Sequence, residues 1–272
     1  MNVIAVQNKK SRFSHEYNAV LTIVARDVLL ALKSPAVLII SLAMPIVMMG
    51  MLGGSLAQNM AGGLDFNYGK FMLVGMLVSM LFQFTITGLV SLINDRGTDF
   101  TQEMMISPIS RYSIVIGKIF GSSFGGILSM IGTLIVGLAM GITLSPWQFL
   151  LILALSPLMC LSAGAMAMLL MGFIKNNKTA NMVTMVLAMT QIFLSGAIIP
   201  ITNSHGILLV LNRLMPMTYC LDLARAVVYA GTPEYGSVVL FNPVVNCIAI
   251  VALTLVCLVV GTYFFVRSEK NR

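Results

Sequence analysis

Charge is what this sequence has least of. Only 9% of its 272 residues are Asp, Glu, Lys or Arg, against about 25% in soluble domains. A surface that poor in charge could not be kept in water. Cysteine is also scarce. Cys160, Cys220, Cys247 and Cys257 are scattered, with no Cys-x-x-Cys and no Cys/His spacing. That points away from a zinc site and from a disulfide framework, and leaves four small packing residues. The phosphate-cradling Gly-x-x-x-x-Gly-Lys-Ser/Thr is missing, as are Gly-x-Ser-x-Gly and His-Glu-x-x-His. The two histidines, His15 and His205, offer no catalytic pairing. No catalytic residue, metal ligand or cofactor site of the chain's own is indicated. The N-terminus lacks the pattern of a secretory signal and is expected to stay uncleaved.

Apolar residues are what is there, at 58%. A membrane helix needs about 20 consecutive apolar residues, and a charge at its centre costs about 2.5–3.5 kcal/mol. Five long tracts are free of charge. The third, Ile119–Ile174, is too long for one crossing, and Thr143-Leu-Ser-Pro-Trp147 divides it. Proline stops a helix and tryptophan favours the interface. The expectation is an all-α integral membrane protein of one domain, residues 1–272, with six transmembrane helices near 36–57, 71–93, 119–141, 148–173, 181–200 and 242–266. An interfacial helix over about 16–33 would precede them, since Glu16, Arg26, Asp27 and Lys33 interrupt its apolar background.

Six spans put both termini on one side. Thirteen Lys/Arg fall on that side, among them Lys9, Arg26, Lys118, Lys175 and Arg267, and only Lys70, Arg213 and Arg225 on the other. The positive-inside rule makes the thirteen-residue side cytoplasmic. The basic balance is then a topology signal, and no nucleic-acid partner is expected. The segment between spans 5 and 6 is too apolar for a free loop and is expected to form short re-entrant helices on the outer side.

Two patterns stand out. The cytoplasmic connection, about 94–118, carries Asp95, Arg96, Asp99, Phe100, Glu103, Met104, Met105, Pro108 and Arg111. Phe100 and Met104 would share a helix face, which suits a partner groove better than solvent. The third span carries Gly117, Gly121, Gly125, Ser129, Thr133, Gly137 and Gly141, each four apart. Small residues allow close helix approach in lipid. A four-residue step drifts around a 3.6-residue helix, so more than one neighbour is needed to cover the stripe.

Phe100-Thr-Gln-Glu103-Met-Met-Ile-Ser-Pro108-Ile-Ser-Arg111 with Gly117-Lys118 resembles the coupling segment of ABC transporter permeases of the type-2 membrane subunit family, the drug, polysaccharide and lipid exporters. Ser195-Gly196-Ala-Ile-Ile-Pro200, Pro216, Tyr219, Asp222 and Arg225 resemble that family's outer re-entrant region. Asp99 stands where a glycine is expected, and Met215 where asparagine often precedes the proline. The resemblance implies a plasma-membrane efflux permease, multidrug or lipid-exporting, that pairs with a second permease subunit, as a homodimer or a heterodimer, within membrane lipid. Two copies of a separate ATPase would bind ATP and magnesium and dock on the coupling segment. The competing reading is a six-span secondary transporter or membrane-embedded enzyme, for which the spans offer only Gln83, Asn181, Gln191, Asn246 and scattered Ser and Thr.

Overall fold

The computed structural model describes residues 2–53, 65–95, 110–171, 173–174, 177–201 and 205–270. These residues form helices and connecting turns, with no strand among them. α1 (Asn2–Lys33) and α2 (Pro35–Val47, continued by a π turn, Met48–Gly53) meet at Ser34. Extended backbone at Ser34, its Oγ accepting from Val37 N, and Pro35 in the first helical position make a clean restart. The two axes differ by 77°. The bend and the exposed Tyr17, Leu21, Leu29 and Leu30 on α1 suit a helix that turns aside from the first span.

α3 (Tyr68–Asp95) is the centre of the protein. Phe71 to Phe82 are buried without interruption. A helix apolar on every face is one that neighbours cover on every face. α4 (Arg111–Ala139), α5 (Pro146–Met171), α6 (Asn177–Leu194) and α8 (Pro216–Val228) all pack on it. α10 (Pro243–Lys270) lies against α5 and α8. Close approach depends on glycine: a Cβ on Gly75 would stand 2.0 Å from the Ala197 carbonyl oxygen, and one on Gly261 2.6 Å from Leu169 N. α7 (Ile207–Leu214) meets α8 at 79°, and α9 is one turn, Tyr235–Val238.

Four stretches are long and apolar enough to cross a membrane by themselves: Tyr68–Leu89, Ser113–Ala139, Pro146–Leu170 and Tyr235–Gly261. They coincide with expected spans 2, 3, 4 and 6. Expected span 1 falls in the bent pair Glu16–Lys33 and Pro35–Met51. Expected span 5 differs. Its helix, α6, ends at Leu194, where Gly196 takes φ +79° in the turn that follows. Its 18 residues reach about 27 Å, just under the roughly 30 Å hydrocarbon thickness. The second bent pair of span-like composition is instead α7 with α8. Apolar faces line the outside, with Met182, Met185, Val186, Met189 and Phe193 on α6, and Val244, Ile248, Val251, Leu255 and Val259 on α10. Water would not tolerate such patches; lipid or another subunit does. The protein is a multi-pass membrane protein.

Candidate functional site

The expected coupling residues Arg96, Asp99, Phe100, Glu103, Met104, Met105 and Pro108 lie outside the described residues. Asp95 is the last residue of α3 and Arg111 the first of α4. The expected connection, 94–118, is therefore shorter. Residues 111–118 are helical, because their apolar face, including Val115, is buried. Lys118 accordingly stands on a helix rather than in a loop.

What receives that end of α4 is α1. Ser110 N, at the threshold of α4, donates to both carboxylate oxygens of Glu16, at 3.0 and 3.2 Å, and Ser113 Oγ donates to Glu16 as well. A carboxylate there satisfies free amide donors and meets the positive end of the helix dipole. Two turns further along, Lys118 Nζ lies 2.9 Å from Asp27 Oδ2, with both side chains only 8% exposed. It also donates to Oδ1 at 3.2 Å. Glycines make the room. A Cβ on Gly117 would meet Ile23 at 3.1 Å, and one on Gly121 would meet Asp27 at 2.7 Å.

Beyond Gly121 the stripe of small residues changes neighbours. Gly125 faces Phe84 and Gly137 faces Leu73, both on α3, while Gly132, off the stripe, faces Ser41 and Leu42 on α2. Ser129 and Thr133 are buried. Gly141 does not continue the packing surface. The helix has ended at Ala139, nothing lies within 4 Å of a Cβ there, and φ +78° serves the turn into α5.

A second polar cluster sits at the opposite end of the bundle, on α8. Pro216 opens the helix. Arg225 is buried, donates from Nη2 to Gly196 O at 2.7 Å, and stacks its guanidinium 3.6 Å from the Phe71 ring centre. Such a contact attracts a desolvated cation. Asp222, 1% exposed, accepts from Leu240 N at 2.7 Å, Phe241 N at 2.9 Å and Asn246 Nδ2 at 2.7 Å. Tyr219 Oη donates to Arg213 O at 2.8 Å, Thr218 Oγ1 to Asn212 O at 2.7 Å and Gln148 Nε2 to Val228 O at 2.9 Å. Tyr68 Oη donates to Ile198 O at 2.9 Å. So α8 ties together the start of α3, the start of α5, the turn after α6 and the start of α10. Of the outer residues expected from sequence, Gly196 and Arg225 come together, while Tyr219 and Asp222 serve other neighbours on the same helix. Pro200 is half-buried at the end of the turn after α6.

The residues that sequence reasoning missed are Glu16, Ser110 and Ser113, and the pairing of Asp27 with Lys118. One signal was available. Glu16, Ile23 and Asp27 are seven and four apart, which puts them on one face of α1. No cluster of three or more His, Cys, Asp or Glu suited to a metal occurs among the described residues. Ser113 Oγ does meet the Glu16 carboxylate, but neither cluster sets a histidine beside a hydroxyl or thiol. Their chemistry is to fix helices relative to one another.

The model of the ABC-2 type transporter family matches residues 18–229. The chain belongs to that family. The match includes Asp27, Lys118, Asp222 and Arg225, starts just after Glu16 and stops at the end of α8, before Leu240, Phe241 and Asn246. A protein of Cyanophora paradoxa described as a transport permease, ycf38, is 25% identical over 198 residues, 71% of this chain and 68% of that one. As an ABC-2 family member the chain is a membrane subunit of an ABC transporter and a transport subunit rather than an enzyme. An ABC ATPase is the general partner of such a subunit.

Proposed function

We propose that this permease drives a hydrophobic or amphipathic cargo, drug-like or lipid-like, out of the cytoplasm, powered by a separate ATPase that docks on the connection between α3 and α4. ATP and magnesium would sit on that partner. The permease would act as a pair of subunits in the plasma membrane, each engaging one of two ATPase copies, with both termini cytoplasmic. The spans would number six, as expected from sequence, with α6 (Asn177–Leu194) as a short fifth, α1 lying in the cytoplasmic interface and α7–α8 forming the outer re-entrant segment.

The observation that carries this reading is the clamp beside the connection. Ser110, directly after it, is held by Glu16, and Lys118 is held by Asp27. A partner that moves the connection therefore moves α1 and the start of α4 together. That is the kind of discrete packed element through which an ATP-driven switch acts. Three further points in the sequence support the reading: the i, i+4 spacing of Phe100 and Met104, the thirteen-to-three Lys/Arg bias, and no P-loop in these 272 residues.

The test is co-expression with the candidate ATPase. The double variant Phe100→Ala, Glu103→Ala should insert normally yet lose most of the co-purifying ATPase and its transport. Undiminished co-purification with undiminished transport would refute the docking assignment.

A further inference from the structure

A cavity of about 470 Å³ opens in the crook between α1 and α2. Its volume is in the range of small-ligand pockets. Leu30, Val37, Ile40 and Phe84 supply its apolar wall, and Ser34 and Lys118 lie on its polar side. Of the polar lining groups, Asp27, Lys118, Ser34 and Ser122 are engaged inside the protein, and Thr87 is exposed. Lys118 is paired with Asp27, Ser34 Oγ accepts from Val37 N, and Ser122 Oγ donates to Ile119 O. Whatever enters the cavity therefore enters with its apolar part.

The rim has a different character. Lys33, exposed on the last turn of α1, immediately precedes the lining residue Ser34. The N-terminal end of α2 begins beside it at Pro35, with a helix dipole that favours an anion. An apolar slot under a cationic rim, at the break between an interfacial helix and a span, has the complementarity of an anionic phospholipid. We infer that this crook binds one anionic phospholipid, with an acyl chain in the cavity and its phosphate at Lys33. The lipid wedges the angle between α1 and α2 and so supports the clamp on α4. Its assignment to the cytoplasmic leaflet rests on the orientation proposed above; the binding itself does not.

The chain has a single tryptophan, Trp147, exposed at the start of α5. Replacing it (Trp147→Phe) and introducing Ile40→Trp gives a reporter within the cavity. The full chain is reconstituted in phosphatidylcholine vesicles and titrated with brominated phosphatidylglycerol or brominated phosphatidylcholine. Phosphatidylglycerol should quench at an about fivefold lower mole fraction, the effect of one basic residue on an anionic headgroup. Adding Lys33→Glu should abolish that preference. Trp147 in the unaltered chain, remote from the crook, should show no such preference. Equal quenching by both lipids would overturn the headgroup site. Quenching by neither would mean that protein, such as a second copy of this chain, covers the groove, and would overturn the proposal entirely. Native mass spectrometry of the unaltered protein is the independent check: phosphatidylglycerol should persist on the chain after phosphatidylcholine is stripped, and its loss alongside phosphatidylcholine would count against the site. Neither readout depends on transport or on the ATPase, so this proposal and the docking assignment fail separately.

Discussion

Replacing Asp27 with alanine should destabilise the protein by about 3–5 kcal/mol, the cost of leaving one charge of a buried pair unmatched. The magnitude follows from the geometry. At 2.9 Å and an effective dielectric constant of about 20, the attraction between the two charges is about 6 kcal/mol. Desolvating two groups that are each 8% exposed costs several kcal/mol per ion. The pair is thus near balance as a whole and expensive to break by halves. Lys118→Ala should cost about as much, because it strands Asp27 against Gly121. The double variant Asp27→Leu, Lys118→Met should return to within about 1 kcal/mol of the native protein, since apolar replacement of a buried pair is often neutral. The assay is equilibrium unfolding in detergent of these four proteins and of Asp27→Leu and Lys118→Met alone, which close the double-mutant cycle with the double variant. A coupling energy below about 1 kcal/mol, or single variants that unfold like the native protein, would show that the two side chains are solvated and that α1 does not clamp α4.

Glu16→Ala should remove the carboxylate that caps the start of α4 and cost about 0.5–2 kcal/mol, read as a lower unfolding midpoint. Glu16→Gln, which keeps an acceptor, should lose less. Gly75→Ala should cost at least about 1–3 kcal/mol by overpacking, because its Cβ would lie 2.0 Å from a backbone oxygen. Gly236→Ala, with nothing within 4 Å, should leave the unfolding midpoint unchanged or raise it by up to about 1 kcal/mol in stability. Asp222→Asn removes the charge from these bonds and turns one amide NH2 toward groups that donate to Asp222, Leu240 N on one side or Phe241 N and Asn246 Nδ2 on the other; it should cost about 1–3 kcal/mol and lower the yield of folded protein after detergent extraction.

The helices were readable because lipid imposes a simple rule on composition. Charge-free tracts of about 20 residues mark what can cross, and Pro146 and Trp147 mark a place where the chain turns. Tyr68–Leu89, Ser113–Ala139, Pro146–Leu170 and Tyr235–Gly261 follow that rule. Helix ends escaped it because hydropathy does not encode them. α4 starts at Arg111 although Lys118 is charged, because a charge within helical backbone is tolerated once Asp27 answers it. α6 ends at Leu194 although Ala197, Ile198 and Ile199 are apolar, because Gly196 adopts a left-handed conformation and its carbonyl oxygen is taken by Arg225. In both places one tertiary contact outweighs a composition that points the other way.

The polar clusters were harder to read for the same reason. Asp27 and Lys118 are 91 residues apart, and neither is unusual alone: each looks like one more interfacial charge at the edge of a span. Besides the shared face of Glu16, Ile23 and Asp27 on α1, the glycines hinted otherwise. A stripe of small residues announces that something approaches closely, and its drift around the helix announces more than one neighbour. It does not say which neighbour takes which part. In the folded protein α1 takes Gly117 and Gly121, and α3 takes Gly125 and Gly137. The division falls at the level where the ion pair ends. Gly121 admits the Asp27 side chain, and the ion pair in turn fixes α1 over the first part of the stripe. Steric room and charge specify the same register of α1 on α4, which neither feature specifies alone.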